Sequence, residues 1–161
     1  MRKIGIIAVL SLLVVALAAV PALAARTTPT GNASFMEGPN CTETASGDVT
    51  CTGLITGLGS DDADVSLTTF GTASVDCTNP GGQLVEAQAD TSPSTETQTN
   101  LQPENGRLAF SITADAPTTL AENPCPNGNW TATITDVEIT SYQLTVTQNG
   151  TIVLDTGVVP I

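Results

Sequence analysis

The chain has 161 residues, with four basic and sixteen acidic side chains, no histidine and four cysteines, for a net charge of −12. Without histidine there is no Ser-His-Asp or Cys-His catalysis and no histidine-ligated zinc. So negative a surface repels nucleic acid and anionic lipid.

The first segment has the layout of a secretory signal peptide. Arg2 and Lys3 open it, Ile4 to Val20 is an almost unbroken apolar run, Pro21 ends the run, and Ala22-Leu23-Ala24 supplies the small-x-small cleavage pattern. The pattern predicts a signal peptide over 1–24, cleaved after Ala24 or Ala25, and one secreted domain over 25–161. The apolar run is short for a membrane span, and Arg26 and polar residues follow it rather than a stop-transfer cluster. No cysteine follows the cleavage site directly, which argues against a lipid anchor. Loss of this segment leaves Arg26 and Arg107 as the basic residues; two minus sixteen gives −14. No lysine remains, which excludes Schiff-base chemistry, a P-loop phosphate grip and lysine isopeptide cross-links. About 136 residues suit a single domain with a real core.

Threonine, valine and isoleucine dominate the rest, and the apolar residues alternate in short runs between Gly, Pro, Asn and Asp. In chain order, Ala33 to Met36 reads as a weak first strand and Asp48 to Thr56 as a second. Asp64 to Asp76 reads as a long third, bent at Gly71. Gln83 to Ala89 is a fourth, with Val85, Ala87 and Ala89 on one face. Asp90 to Glu104 is a polar loop with a short edge strand near Thr95 to Leu101. In Arg107 to Ala114, Leu108, Phe110 and Ile112 point one way. Trp130, Ala132 and Ile134 alternate with threonines before the phase slips to Val137 and Ile139, which predicts a bulge near Thr135-Asp136. Tyr142, Leu144 and Val146 follow in alternation. Gln148-Asn149-Gly150-Thr151 is a type I′ hairpin turn, and Ile152-Val153-Leu154 returns from it. These elements predict an all-β protein, an antiparallel β-sandwich (Ig-like or related) of about seven to nine strands.

Behind a signal peptide, four cysteines predict two disulfides. Of the three pairings, Cys41–Cys51 is favoured because the two flank a turn-rich segment and face each other across a hairpin. Cys77–Cys125 then staples two distant polar turns. The cysteines are too scattered for a metal knuckle, and no base stands ready to activate a free thiol.

Five candidate features stand out. Asp61, Asp62 and Asp64, in Gly59-Ser60-Asp61-Asp62-Ala63-Asp64, supply the oxygen ligands calcium favours. As an EF-hand started at Asp62 the loop fails, with Leu67 at the sixth position and Ala73 at the twelfth, and a solvated loop tip is the plainer reading. Calcium is the one cofactor the sequence suggests. Asp136 and Glu138 share a strand face and have the residue types of a glycosidase acid pair, but Val137 and Ile139 point inward and leave this pair solvated. Trp130 and Tyr142 offer a sugar-stacking platform, yet both fall in phase with apolar neighbours and read as core. Arg107, nearly the only cation, is expected to pair with a nearby carboxylate. Asn32, Asn40, Asn129 and Asn149 each begin an N-glycosylation acceptor triplet, a pattern that arises by chance in so threonine-rich a chain.

Cys77-Thr78-Asn79-Pro80-Gly81-Gly82, Asn105-Gly106-Arg107 and Cys125-Pro126-Asn127-Gly128-Asn129-Trp130-Thr131 together make a pattern that resembles short secreted bacterial β-sandwich proteins of unknown function. The likeness covers roughly Cys41 to Leu154. It implies an extracytoplasmic sandwich that holds the second disulfide, and it brings no catalytic residue.

The sequence therefore leads to a secreted, non-catalytic interaction or surface module, with an unknown extracellular protein or glycan as partner and no nucleic acid. A calcium-dependent adhesive or carbohydrate-binding domain is the second expectation. A carboxylate-only glycoside hydrolase is the third.

Overall fold

A computed structural model describes residues 31–161. The expected signal peptide, its cleavage site and Arg26 lie outside the described residues. Nine strands follow in order: β1 (Ser34–Glu43), β2 (Val49–Thr56), β3 (Ala63–Thr78), β4 (Leu84–Asp90), β5 (Ser94–Leu101), β6 (Arg107–Ala114), β7 (Thr131–Gln148), β8 (Thr151–Asp155) and β9 (Val159–Pro160). All pairings are antiparallel. β1, β2 and β6 form one sheet; β4, β3, β7 and β8 form the other, with β5 also on β3 and β9 also on β7. No helix among the described residues is long and apolar enough to cross a membrane.

The larger sheet is organised by two long strands. β3 alternates buried and half-buried residues without a break from Ala63 to Thr78. β7 runs beside it from Thr131 to Gln148, with register shifts opposite Phe70/Gly71 and opposite Ser74/Val75. The second shift is the bulge expected at Thr135-Asp136. Thr135 is the extra residue, and its hydroxyl donates to the Ser74 carbonyl. The first shift leaves Thr140 as a second extra residue and moves the inward phase from Ile139 to Tyr142. Two bulges thus let one eighteen-residue strand carry what reads in the sequence as separate segments.

The three-stranded sheet packs on only one half of this ribbon. The main core gathers Val49, Cys51 and Ile55 of β2, Leu108, Phe110 and Ile112 of β6, Val65 and Leu67 of β3, and Leu144 and Val146 of β7. Tyr142 belongs to it and is 7% exposed, as its phase predicts. The Phe35 and Phe110 rings meet at 6.2 Å between centroids. Gln98 of β5 donates to the Ser111 carbonyl of β6 at 2.8 Å, so the two sheets also touch through a polar bond along one side.

The other half of the ribbon has its own small core. Ala73, Val75 and Cys77 are buried there against Ala87, Leu120, Cys125, Trp130, Ala132, Ile134 and Val137. The loop after β6 provides part of this cover. It runs beside the β4–β5 connection through the Thr91–Leu120 bridge, and the Cys77–Cys125 disulfide anchors it. The other disulfide, Cys41–Cys51, joins directly opposed residues of β1 and β2. Both expected pairings are present.

Some details differ from the sequence reading. β1 extends to Glu43, well past Met36, because Cys41 and its neighbours pair with Cys51 across the hairpin. Val85, paired with Cys77, remains 44% exposed, while Ala87 and Ala89 are half-buried. Phe70 takes the outer phase of β3, opposite Ser141, and stays half-buried there. The β7–β8 turn has positive φ at Asn149 (51°) and Gly150 (72°), as a type I′ turn requires.

Candidate functional site

The loop acids do structural work. Asp61 accepts from the side-chain amide of Asn149 at 2.9 Å, and its carbonyl accepts from that of Gln148 at 2.7 Å. The other end of the Gln148 amide accepts from the Gly59 backbone N–H at 3.1 Å. Asp62 accepts from the side chain of Gln102 at 3.1 Å, and Asp64 from the backbone N–H of Asn100 at 2.9 Å. The three carboxylates are thus engaged by three different amides, tying the β2–β3 loop to the β7–β8 turn and to the end of β5. Among the described residues no group of three or more acidic or cysteine side chains gathers where a metal could be held.

Asp48 is engaged in the same way. Its carboxylate accepts from the Ser46 hydroxyl at 2.7 Å and from the Ala116 backbone N–H at 3.0 Å. These two bonds, the Ser46 one foremost, lower its pKa below the ordinary value.

The register brings a different set of acids together. On the outer face, Asp76 of β3 lies between Glu86 of β4 and Thr133 of β7. Ser74 lies between Gln88 and Asp136, and Thr72 lies between Asp90 and Glu138. Paired residues share a face, and residues two apart along a strand share it too. The nine positions form a three-by-three array that carries five carboxylates. The reverse face of the same strands is the second apolar core, which fixes the acids outward. An open groove of about 590 Å³ crosses the array, lined by Asp76, Glu86, Gln88, Thr135 and Asp136.

The Asp136–Glu138 pair is exposed and outward, as its phase predicts. What the sequence reading missed is its company. Asp76, Glu86 and Asp90 sit in polar phase beside Val75, Cys77, Ala87 and Ala89, so each could be placed outward. Only the β3–β4 and β3–β7 registers put all five side by side.

Among the described residues, the face has no cation within it. Arg107 begins β6 in the other sheet, where its backbone closes a turn with Glu104 through bonds of 3.0 and 2.7 Å. It lines a shallow groove with Leu54, Gln102 and Glu104. No carboxylate of the described residues comes within 4.0 Å of its guanidinium, so the expected ion pair is not found among them. Trp130 is half-buried against the second core beside the Cys77–Cys125 bridge, at the start of β7.

Neighbouring carboxylates in such an array stand roughly 5 Å apart across strands and roughly 7 Å apart along them. Chelation of calcium needs six to eight oxygens at about 2.4 Å from one ion. The array instead offers a spread of negative potential, which suits a partner whose positive charges are also spread. No family model, curated protein or solved structure matches the chain.

Proposed function

We propose that the protein is a secreted, non-catalytic interaction module that meets an extracellular partner with the outer face of β4, β3 and β7. One observation carries this reading: five carboxylates, Asp76, Glu86, Asp90, Asp136 and Glu138, occupy nine neighbouring positions with no cation among them. Like charges set opposite each other across strands destabilise a sheet. A fold that keeps Asp76 against Glu86 therefore bears a cost, which a cationic partner would relieve. The two disulfides fit a life outside the cytoplasm, where such bridges persist.

The test is calorimetric titration of the oxidised domain with a flexible lysine-rich peptide at low and at physiological salt. Binding that weakens with salt, and that is lost when Asp76, Glu86, Asp136 and Glu138 are changed together to Asn or Gln, is the expected outcome. Equal binding by the neutralised variant contradicts the reading.

A further inference from the structure

Among the described residues, the second long strand is unpaired along part of one side. β3 lines one edge of β7 along its whole length. On the other edge β8 pairs with Thr145 to Gln148 and β9 with Ser141 and Tyr142. From Thr131 to Ile139 no strand of the described residues pairs on that side. An edge of this kind presents backbone N–H and C=O groups ready to pair with another chain.

This edge borders a cleft. About 440 Å³ lies between Ile134 to Val137 of β7, the β1–β2 turn from Glu43 to Gly47, and Ala116 to Thr118. Asp48 holds the turn in place through the Ala116 N–H. Gly47 closes one end, since a Cβ there would sit 3.2 Å from the Ala116 Cβ and 3.8 Å from the Val137 carbonyl oxygen. The open stretch therefore runs from Thr131 up to the bulge residue, Thr135. Ile134 and Val137 face inward yet stay half-buried, because the three-stranded sheet does not reach them. They give the cleft an apolar floor, and Glu43 and Asp136 stand exposed at its rim.

We infer that this edge is a docking strand: a basic, extended peptide segment of a partner pairs with Thr131 to Thr135 of β7, its apolar side chains entering the cleft and its cationic ones meeting Glu43, Asp136 and the acidic face. The inference rests on the interaction-module reading and names the partner's chemistry. Backbone pairing supplies affinity in this mode, and alternate side chains supply selection. A second copy of the chain is a poor occupant, since two surfaces with sixteen acids against four bases repel. A glycan has no repeating N–H and C=O pairs to continue the ladder. Two of the other edges are less open. β1 carries Pro39 and two register shifts, and the β6 edge already takes the Gln98 amide at Ser111.

The experiment uses the oxidised domain and a capped peptide of alternating lysine and valine, with spermine as a cation that has no backbone. Hydrogen exchange reads the Thr131–Thr135 amides. Ala45→Trp, a change on the exposed turn that lines the cleft, fills the space without touching the core. The expected result is protection of those amides by the peptide and not by spermine, with affinity falling about tenfold or more in Ala45→Trp. Peptide binding that leaves those amides unprotected, or that Ala45→Trp does not weaken, overturns the docking strand while sparing the acidic face as an interaction surface. Absence of binding by both peptide and spermine overturns the docking strand and the acidic-face reading together.

Discussion

Asp76 on β3 and Glu86 on β4 face each other directly across the strand pair, two carboxylates opposed on the outer face of the larger sheet. The arrangement works against stability, so a change that relieves it should stabilise the fold. Glu86→Lys turns a repulsive pair into an attractive one and is expected to raise stability by about 1 kcal/mol. The same change should weaken binding of a cationic peptide. Thermal melts and titrations on one protein batch read both effects, and a variant that is stabilised yet binds unchanged would separate the acidic pair from function.

The two disulfides should differ in what they contribute. Cys77–Cys125 closes a span of 48 residues and Cys41–Cys51 a span of 10. Loop-closure entropy then assigns about 4 kcal/mol to the first and about 3 kcal/mol to the second. Denaturant titrations of the paired Cys→Ala variants check the order. The Cys77/Cys125 variant should also shift the emission of Trp130, the sole tryptophan, to the red in native buffer, because the bridge anchors the loop over its side of the core.

Asp48 makes stability depend on acid. Its folded pKa is lowered, first by the Ser46 hydroxyl and then by the Ala116 N–H. A depressed carboxylate stabilises the fold above its unfolded value, near 3.8, and that contribution is lost as pH falls through the lower folded value. Asp48→Asn should therefore melt lower than the parent at pH 7, and the gap should close as pH drops below 3.8. A gap that stays constant with pH would show that the hydrogen bonds, and not the charge, set the effect.

Two glycines should respond to alanine for different reasons. At Gly71 a Cβ would lie 2.6 Å from the Glu138 carbonyl oxygen, a backbone atom fixed beside the Thr140 bulge. Gly71→Ala is expected to cost about 3 kcal/mol by overpacking. At Gly150 nothing lies within 4 Å of a Cβ, and only the φ of 72° opposes a side chain. Gly150→Ala should cost about 1 kcal/mol. Denaturant midpoints of the two variants give the comparison.

Much of the fold could be read from alternation. Leu108, Phe110 and Ile112 point together into the core, the phase slip at Thr135-Asp136 is a bulge, and Asn149-Gly150 turns the hairpin as its residues require. Both cysteine pairings follow from position in hairpin and turn. Local pattern could not reveal which half of the β3–β7 ribbon the second sheet covers. That depends on the registers of β2 and β6 and on where the loop after β6 settles. The outer acids were hidden for the same reason. Asp76, Glu86 and Asp136 come from three strands, and a register, not a motif, makes them neighbours. The Asp61, Asp62 and Asp64 cluster shows the converse: adjacency in sequence sends its carboxylates to three separate amides.

The most direct measurement is an amide NMR titration of the labelled, oxidised domain with the lysine-rich peptide at low salt. The account predicts shifts concentrated at Thr72, Ser74, Asp76, Glu86, Gln88, Asp136 and Glu138, fading as salt is added. Shifts scattered over both sheets, or centred on the β2–β3 loop around Asp61 to Asp64, would contradict it.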